Sequence, residues 1–184
     1  MPWLEVETKI KIDNINNIKN KIKKIAKFIK KEKKIDEYFS LKRKSYPGKA
    51  FRIRIAGSGY VMNFKRWLKQ YYSKDIVVKE EFEINLKNKE NLNNVLELFK
   101  DLGFRKWVKK IKLCEIYKYG NVFIEINKVK HLGNFLEIEY LCQKKDINKA
   151  KKKIREVLKK LDVKQKDVDN TGYTKMLWNK GIRG

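Results

Sequence analysis

The segment Leu4-Glu5-Val6-Glu7-Thr8-Lys9-Ile10-Lys11-Ile12 alternates charged with mostly apolar side chains, acids first and bases after. A β-strand sends successive side chains to opposite faces. Glu5, Glu7, Lys9 and Lys11 therefore share one face, with Leu4, Val6, Ile10 and Ile12 on the other. Two carboxylates about 7 Å apart on one strand face suit a divalent cation. The amines further along suit what such a cation binds, phosphate oxygens above all.

Later segments repeat the pattern. Residues 50–56 set Arg52 and Arg54 between Phe51, Ile53 and Ile55. Gly57-Ser58-Gly59 reads as a hairpin turn into residues 60–67, which offer Lys65 against Met62 and Phe64. Residues 75–86 offer Lys79, Glu81 and Glu83 against Phe82 and Ile84. Residues 134–142 offer Glu137 and Glu139 against Leu136, Ile138 and Tyr140. Further strands are read at 3–13, 36–44, 104–118 and 121–127, the last pair turning at Gly120-Asn121.

Helices are predicted where apolar residues recur three or four apart. One spans 15–31 on Ile15, Ile18, Ile22, Ile25 and Ile29. A second spans 89–101 on Leu92, Val95, Leu96 and Phe99, with Gly103 as its C-cap. A third runs from a cap at Asp146 through Leu161, with Ile147, Ala150, Ile154, Val157 and Leu158 inward. Residues 169–179 form a short last helix. No Pro-rich or Ser-rich linker interrupts the 184 residues, so one domain over 1–184 is expected, of class α+β.

The charged strand faces could be the solvent side of an ordinary antiparallel sheet. Such a face usually mixes Thr, Ser and Gln with scattered charge, whereas the alternate positions here hold Glu, Arg and Lys. The helices need an apolar surface, and the other strand face is the only one offered. If the sheet curls with the helices outside, the charged face becomes a lumen. An unpaired buried ion costs several kcal/mol, so such a lumen must hold water, cations and an anion.

Lys plus Arg is 47 against 22 Asp plus Glu, a formal net charge of +25. That balance attracts nucleotides, polyphosphate, RNA or an anionic surface and does not choose among them. No apolar run is long enough to span a bilayer, and no apolar signal core opens the chain. A cytoplasmic protein with two free thiols, Cys114 and Cys142, is expected. His131, the one histidine, is read as incidental, and Trp3, Trp67, Trp107 and Trp178 as packing residues.

Glu5-x-Glu7-x-Lys9 matches the ExExK signature of the CYTH family, the triphosphate tunnel metalloenzymes. The companions follow in order: Arg52-x-Arg54, Lys65, Lys79-Glu80-Glu81-Phe82-Glu83 and Leu102-Gly103-Phe104. Leu132-Gly133-Asn134-Phe135-Leu136-Glu137-Ile138-Glu139 resembles the family's LGxFxExE. Thr171-Gly172-Tyr173-Thr174-Lys175-Met176-Leu177 is similar to a C-terminal stretch of the class IV adenylyl cyclase branch. The resemblance implies a closed tunnel of eight antiparallel strands with helices outside. It implies Mg²⁺ or Mn²⁺ on Glu5, Glu7, Glu137 and Glu139, with Glu81 and Glu83 as secondary acids. It places Lys9, Arg52, Arg54, Lys65, Lys79, Lys110 and Lys112 on phosphates, with Lys9, Arg54 and Lys65 as the catalytic members.

Two positions depart from the family pattern. Ungapped spacing back from Tyr117 puts Lys112 and Cys114 where the family has K-x-R, while Lys110-x-Lys112 keeps both charges at the cost of an insertion. Asn127 stands where the family has an Asp, and Glu125 shares its parity. The implied substrates are ATP, thiamine triphosphate or tripolyphosphate. A cyclase would turn ATP into cyclic AMP and pyrophosphate; a triphosphatase would direct water at the γ-phosphorus. From a different class, Phe64-Lys65-Arg66-Trp67 and Tyr71-Tyr72 with the +25 charge would suit a nucleic-acid-binding module without catalysis. Acids within the strongest motifs disfavour it. Apolar residues left on a barrel exterior would support a homodimer.

Overall fold

The computed structural model describes residues 3–41, 44–57 and 59–183. Ser58 of the predicted hairpin turn lies outside them; its neighbour Gly57 takes φ +57°. The chain runs β1 (Leu4–Ile12), α1 (Ile15–Ile25), β2 (Lys27–Ser40), β3 (Phe51–Ala56), β4 (Gly59–Trp67) and β5 (Val77–Leu86). It continues through α2 (Lys89–Asp101), β6 (Arg105–Tyr119), β7 (Val122–Val129), β8 (Gly133–Cys142), α3 (Ile147–Lys160) and α4 (Tyr173–Asn179). The strands close into an antiparallel barrel in the order β1-β5-β4-β3-β2-β6-β7-β8, so the fold is α+β with eight barrel strands.

The apolar strand faces point outward and the helices cover them. Leu4, Val6, Ile10 and Ile12 join Ile124, Leu136 and Ile138 beneath Ala150, Ile154, Val157 and Leu161 of α3. Phe99 and Leu92 of α2 pack on Phe39, Ile53 and Leu86. Helix α4 lies instead at the mouth of the barrel, where Leu177 and Tyr173 pack with Trp107, Leu132 and Phe135, and Tyr173 and Trp107 also line the interior. Apolar residues remain outside, among them Ile84, Leu98 and Leu102. No helix among the described residues is long and apolar enough to cross a membrane. Cys114 and Cys142 are free and buried.

Helix α1 is shorter than its isoleucine spacing predicts. Asn14 caps its start by accepting from the Asn17 N–H at 3.0 Å. The helix stops at Ile25, Ala26 turns extended, and β2 begins at Lys27, nine residues before the predicted strand. Phe28 pairs with Tyr117 across β2 and β6, their rings 5.5 Å apart. Ile29 falls on a register shift between Phe28 and Lys30 and is exposed. Its helical spacing from Ile25 is therefore a coincidence that tertiary pairing overrides. Asp146 occupies the N-cap position of α3, but its side chain makes no capping bond. Gly103 follows α2 at φ +82°, a left-handed conformation that glycine adopts without a side-chain penalty.

One polar fastening lies outside the barrel. Arg155 of α3 donates from Nε and Nη2 to the two oxygens of Asp75, each at 2.8 Å, and to Ser73 at 3.1 Å. The Arg155 hydrogen bonds, against the opposing effect of burial, hold the Asp75 carboxyl at about 2. A carboxyl depressed on folding stabilises above its unfolded value near about 3.9, and that contribution is lost as pH falls through about 2. Arg155→Ala is expected to cost roughly 1–2 kcal/mol at pH 7, allowing for the half-exposed guanidinium. Urea unfolding should show the gap between variant and parent closing below about pH 3. A gap independent of pH would refute the linkage.

Candidate active site

The charged strand faces meet inside the barrel. Glu5, Glu7 and Lys9 of β1 line one cavity of about 360 Å³ with Arg52 and Arg54 of β3 and Lys65 of β4. Lys79, Glu81 and Glu83 of β5, Lys110 and Lys112 of β6, and Glu137 and Glu139 of β8 complete that wall. The volume is in the range of small-molecule sites, about 300–1,000 Å³. Every site residue expected from the sequence thus reaches one space. Lys11, on the same strand face, lies past its rim and is exposed.

Antiparallel pairing explains the convergence. In the register of β1 and β8, Glu7 faces Glu139 and Lys9 faces Glu137; in that of β1 and β5, Glu5 faces Lys79. Glu5, Glu7 and Glu139 bring carboxylate oxygens within 4.8 Å of one another. Lys65 contacts Glu5 at 2.5 Å and also Glu81, while Lys79 contacts Glu7. Burial pushes Glu5 up, but the Lys65 and Lys79 ammoniums outweigh it and hold the group well below the usual carboxylate range. Burial pushes Glu7 up to about 7 against the pull of Lys79. Burial and the neighbouring Glu5 carry Glu139 well above the usual range. Three crowded carboxylates with too few cations are the donor set that a hard divalent ion fits.

Glu137 stands apart from that trio. Its Oε2 accepts from Asn127 Nδ2 at 2.6 Å and from Lys112 at 3.1 Å. Lys112 also reaches Glu125 at 2.9 Å, and Lys34 reaches Glu125 at 3.0 Å. Both alignments considered for β6 share one face: Lys110 and Lys112 line the cavity, and Cys114 is buried beyond them.

The basic side is organised by Asp36, wholly buried on β2. Arg54 donates to both its oxygens, at 2.7 Å from Nε and 3.0 Å from Nη2, and Lys110 lies 2.8 Å away. Burial pushes Asp36 up, but Lys110 and Arg54 hold it well below the usual carboxylate range. Arg52 differs: its recorded ion pair is a long 3.5 Å contact to half-exposed Glu83, and its Nε has no partner.

The C-terminal segment closes one side. Val168 bridges to Ile10, Asn170 Oδ1 accepts from the Lys9 N–H at 2.9 Å, and the Lys9 ammonium donates to the Thr171 carbonyl. Lys9 also sits 4.4 Å from the Tyr173 ring centre, a cation–π contact. Tyr46, Trp107 and Trp178 stack edge to face around this mouth, and Trp67 and Trp107 line the cavity rather than serving packing alone.

Lys34, Asp36, Tyr38, Asn63 and Tyr173 are site residues that the sequence reading passed over. Glu32, Lys34, Asp36 and Tyr38 alternate as the other strands do, but the predicted strand began only at Asp36, which cut the pattern in two. Asn63 is buried and donates to Glu83 at 3.1 Å, and a neutral residue carries no charge signal.

Comparison with known proteins agrees with the fold. A protein of Methanocaldococcus jannaschii named "Putative adenylate cyclase" is 32% identical over 179 residues, covering 94% of this chain and 98% of that one. A Pyrococcus horikoshii OT3 protein of solved structure is 30% identical, with a TM-score of 0.78, covering 93% of this chain and 98% of its own. A Hippeastrum protein described as a putative adenylyl cyclase that reveals a dominant triphosphatase activity shares the fold. Its TM-score is 0.58 at 15% identity, over 97% of this chain and 96% of its own. The CYTH domain model matches residues 4–173, and the chain belongs to the CYTH domain family.

Proposed function

We propose that this chain is a divalent-cation-dependent enzyme acting on the triphosphate of a small molecule, foremost the cyclisation of ATP to cyclic AMP and pyrophosphate. The observation that carries this reading is the Glu5, Glu7 and Glu139 cluster in one cavity with Arg52, Arg54 and Lys110, and with Lys65 in contact with Glu5. Mg²⁺ or Mn²⁺ on the three glutamates would neutralise phosphate oxygens and the leaving pyrophosphate. Arg52 and Arg54 would take phosphate oxygens through planar forks, and Lys65, Lys79, Lys110 and Lys112 through point charges. Lys9, fixed at backbone and ammonium by Asn170 and Thr171, would meet the same chain of oxygens from β1. The aromatic mouth at Tyr46 and Trp107 offers the nucleoside an apolar wall beside the phosphates.

In this reaction the ribose 3′-oxygen bonds to the α-phosphorus as the bond to pyrophosphate breaks. Positioning and charge neutralisation suffice, without a protein nucleophile. The second reading is triphosphate hydrolysis. It is favoured by Glu83, which lines the cavity yet is half-exposed, so that side of the cavity is open to water.

The test incubates the purified chain with ATP, thiamine triphosphate or tripolyphosphate in Mg²⁺ or Mn²⁺. Cyclic AMP from ATP is the expected product. Orthophosphate without cyclic AMP selects hydrolysis. No turnover of any of the three, with either metal, would overturn the enzyme reading.

A further inference from the structure

Apart from Asp36 and Glu83, the carboxylates described inside the barrel form two groups of different electrical character. In the first, Glu5, Glu7, Glu81 and Glu139 share two ammoniums within ion-pair distance, those of Lys65 and Lys79. Fully ionised, that group is short of two positive charges, the charge of one Mg²⁺ or Mn²⁺. In the second, Glu125 and Glu137 share Lys112, and Glu125 also holds Lys34. Lys34 also pairs with Glu32 at 3.0 Å, and Lys30 holds Glu32 in turn at 2.9 Å, so three carboxylates meet three ammoniums and no charge is left over.

The second group is also filled in space. Lys112 Nζ stands 2.9 Å from Glu125 Oε2 and 3.1 Å from Glu137 Oε2. Asn127 Nδ2 points at the same two oxygens, 3.3 Å and 2.6 Å away. The amide orientation follows from its surroundings, because the reversed amide would set an acceptor 2.6 Å from a carboxylate oxygen. The position between the two glutamates is thus taken by an ammonium and an N–H donor. A cation entering there would have to displace Lys112. An aspartate at 127 would reverse the balance, adding a carboxylate with no ammonium to match it and setting an acceptor against two acceptors.

We propose that the barrel takes one divalent cation, at Glu5, Glu7 and Glu139, and that Asn127 with Lys112 denies Glu125 and Glu137 to a second. Asn127 is then a specificity-determining residue that sets the number of cations in the tunnel. Glu137, expected to ligate metal, instead positions Lys112. The inference rests on the cation-dependent reading above and adds the count.

The experiment titrates the full chain with Mn²⁺ alone, following free Mn²⁺ by electron paramagnetic resonance and heat by calorimetry. One site per chain is expected. Asn127→Asp is expected to bind two, and Glu139→Gln added to it should remove one of them. Lys112→Gln, which frees the same two glutamates without adding a carboxylate, should also gain a site. It serves as the second variant if Asn127→Asp fails to fold, as judged by circular dichroism. Two sites in the unaltered chain would overturn the count while leaving the cation-dependent reading intact; no site would overturn both. A folded Asn127→Asp and a folded Lys112→Gln that each still bind one ion would overturn the role given to Asn127 and Lys112.

Discussion

Replacing Asp36 by alanine is expected to cost the fold about 3–5 kcal/mol, the range for removing one partner of a buried ion pair. The carboxylate is wholly buried and receives both nitrogens of the Arg54 fork as well as the Lys110 ammonium. Its loss leaves two cations facing each other without the counter-charge they share. For a chain of this length the midpoint of thermal unfolding should fall by about 6–20 °C. Unfolding in urea and by heat checks this; a change under about 1 kcal/mol would show that the cavity tolerates the unpaired charges. Addition of tripolyphosphate should restore part of the loss, because a bound anion replaces the missing carboxylate.

Arg52→Ala is expected to do the opposite, lowering turnover of the triphosphate by about 10²–10³-fold while leaving stability nearly unchanged. Arg52 is buried, yet its recorded ion pair is the 3.5 Å contact to half-exposed Glu83, and its Nε has no partner. A guanidinium held in that way is available to phosphate, and the acids that feel its charge, Asp36 and Glu81, keep closer cations in Lys110, Arg54 and Lys65. Arg52→Lys should recover only part of the rate, since one ammonium cannot replace a two-nitrogen fork. Steady-state kinetics beside a urea midpoint checks the pair of outcomes. Equal losses from Arg52→Ala and Arg54→Ala in both measurements would erase the distinction between them.

That distinction was not legible in the sequence. Arg52 and Arg54 sit two apart on one strand and look interchangeable. Only the pairing of β3 with β2, which sets Arg54 opposite Asp36, separates them. The common charged face was legible because period-2 charge survives in β1, β3, β5 and β8 whatever their neighbours, while closure into eight strands was implied by the resemblance to the CYTH family. The first half of β2 was not legible, because its residues continue the isoleucine spacing of α1 and only pairing with β6 makes them a strand. Acids and bases announced themselves by charge, so the cavity's main lining was foreseen. Which acid would meet a cation and which a lysine depends on cross-strand register, and register is a long-range property. Glu137 is the case in point, drawn to Lys112 and Asn127 rather than to the other three glutamates.

Closure of the ladder has one more effect. β1 bonds to β5 on one side and to β8 on the other, so the sheet has no first or last strand. An open sheet of such β-rich segments would present an unpaired rim of N–H and C=O groups, inviting other molecules to add themselves. Here that rim is absent, and a protein crowded with lysine on its skin needs no further protection against stacking.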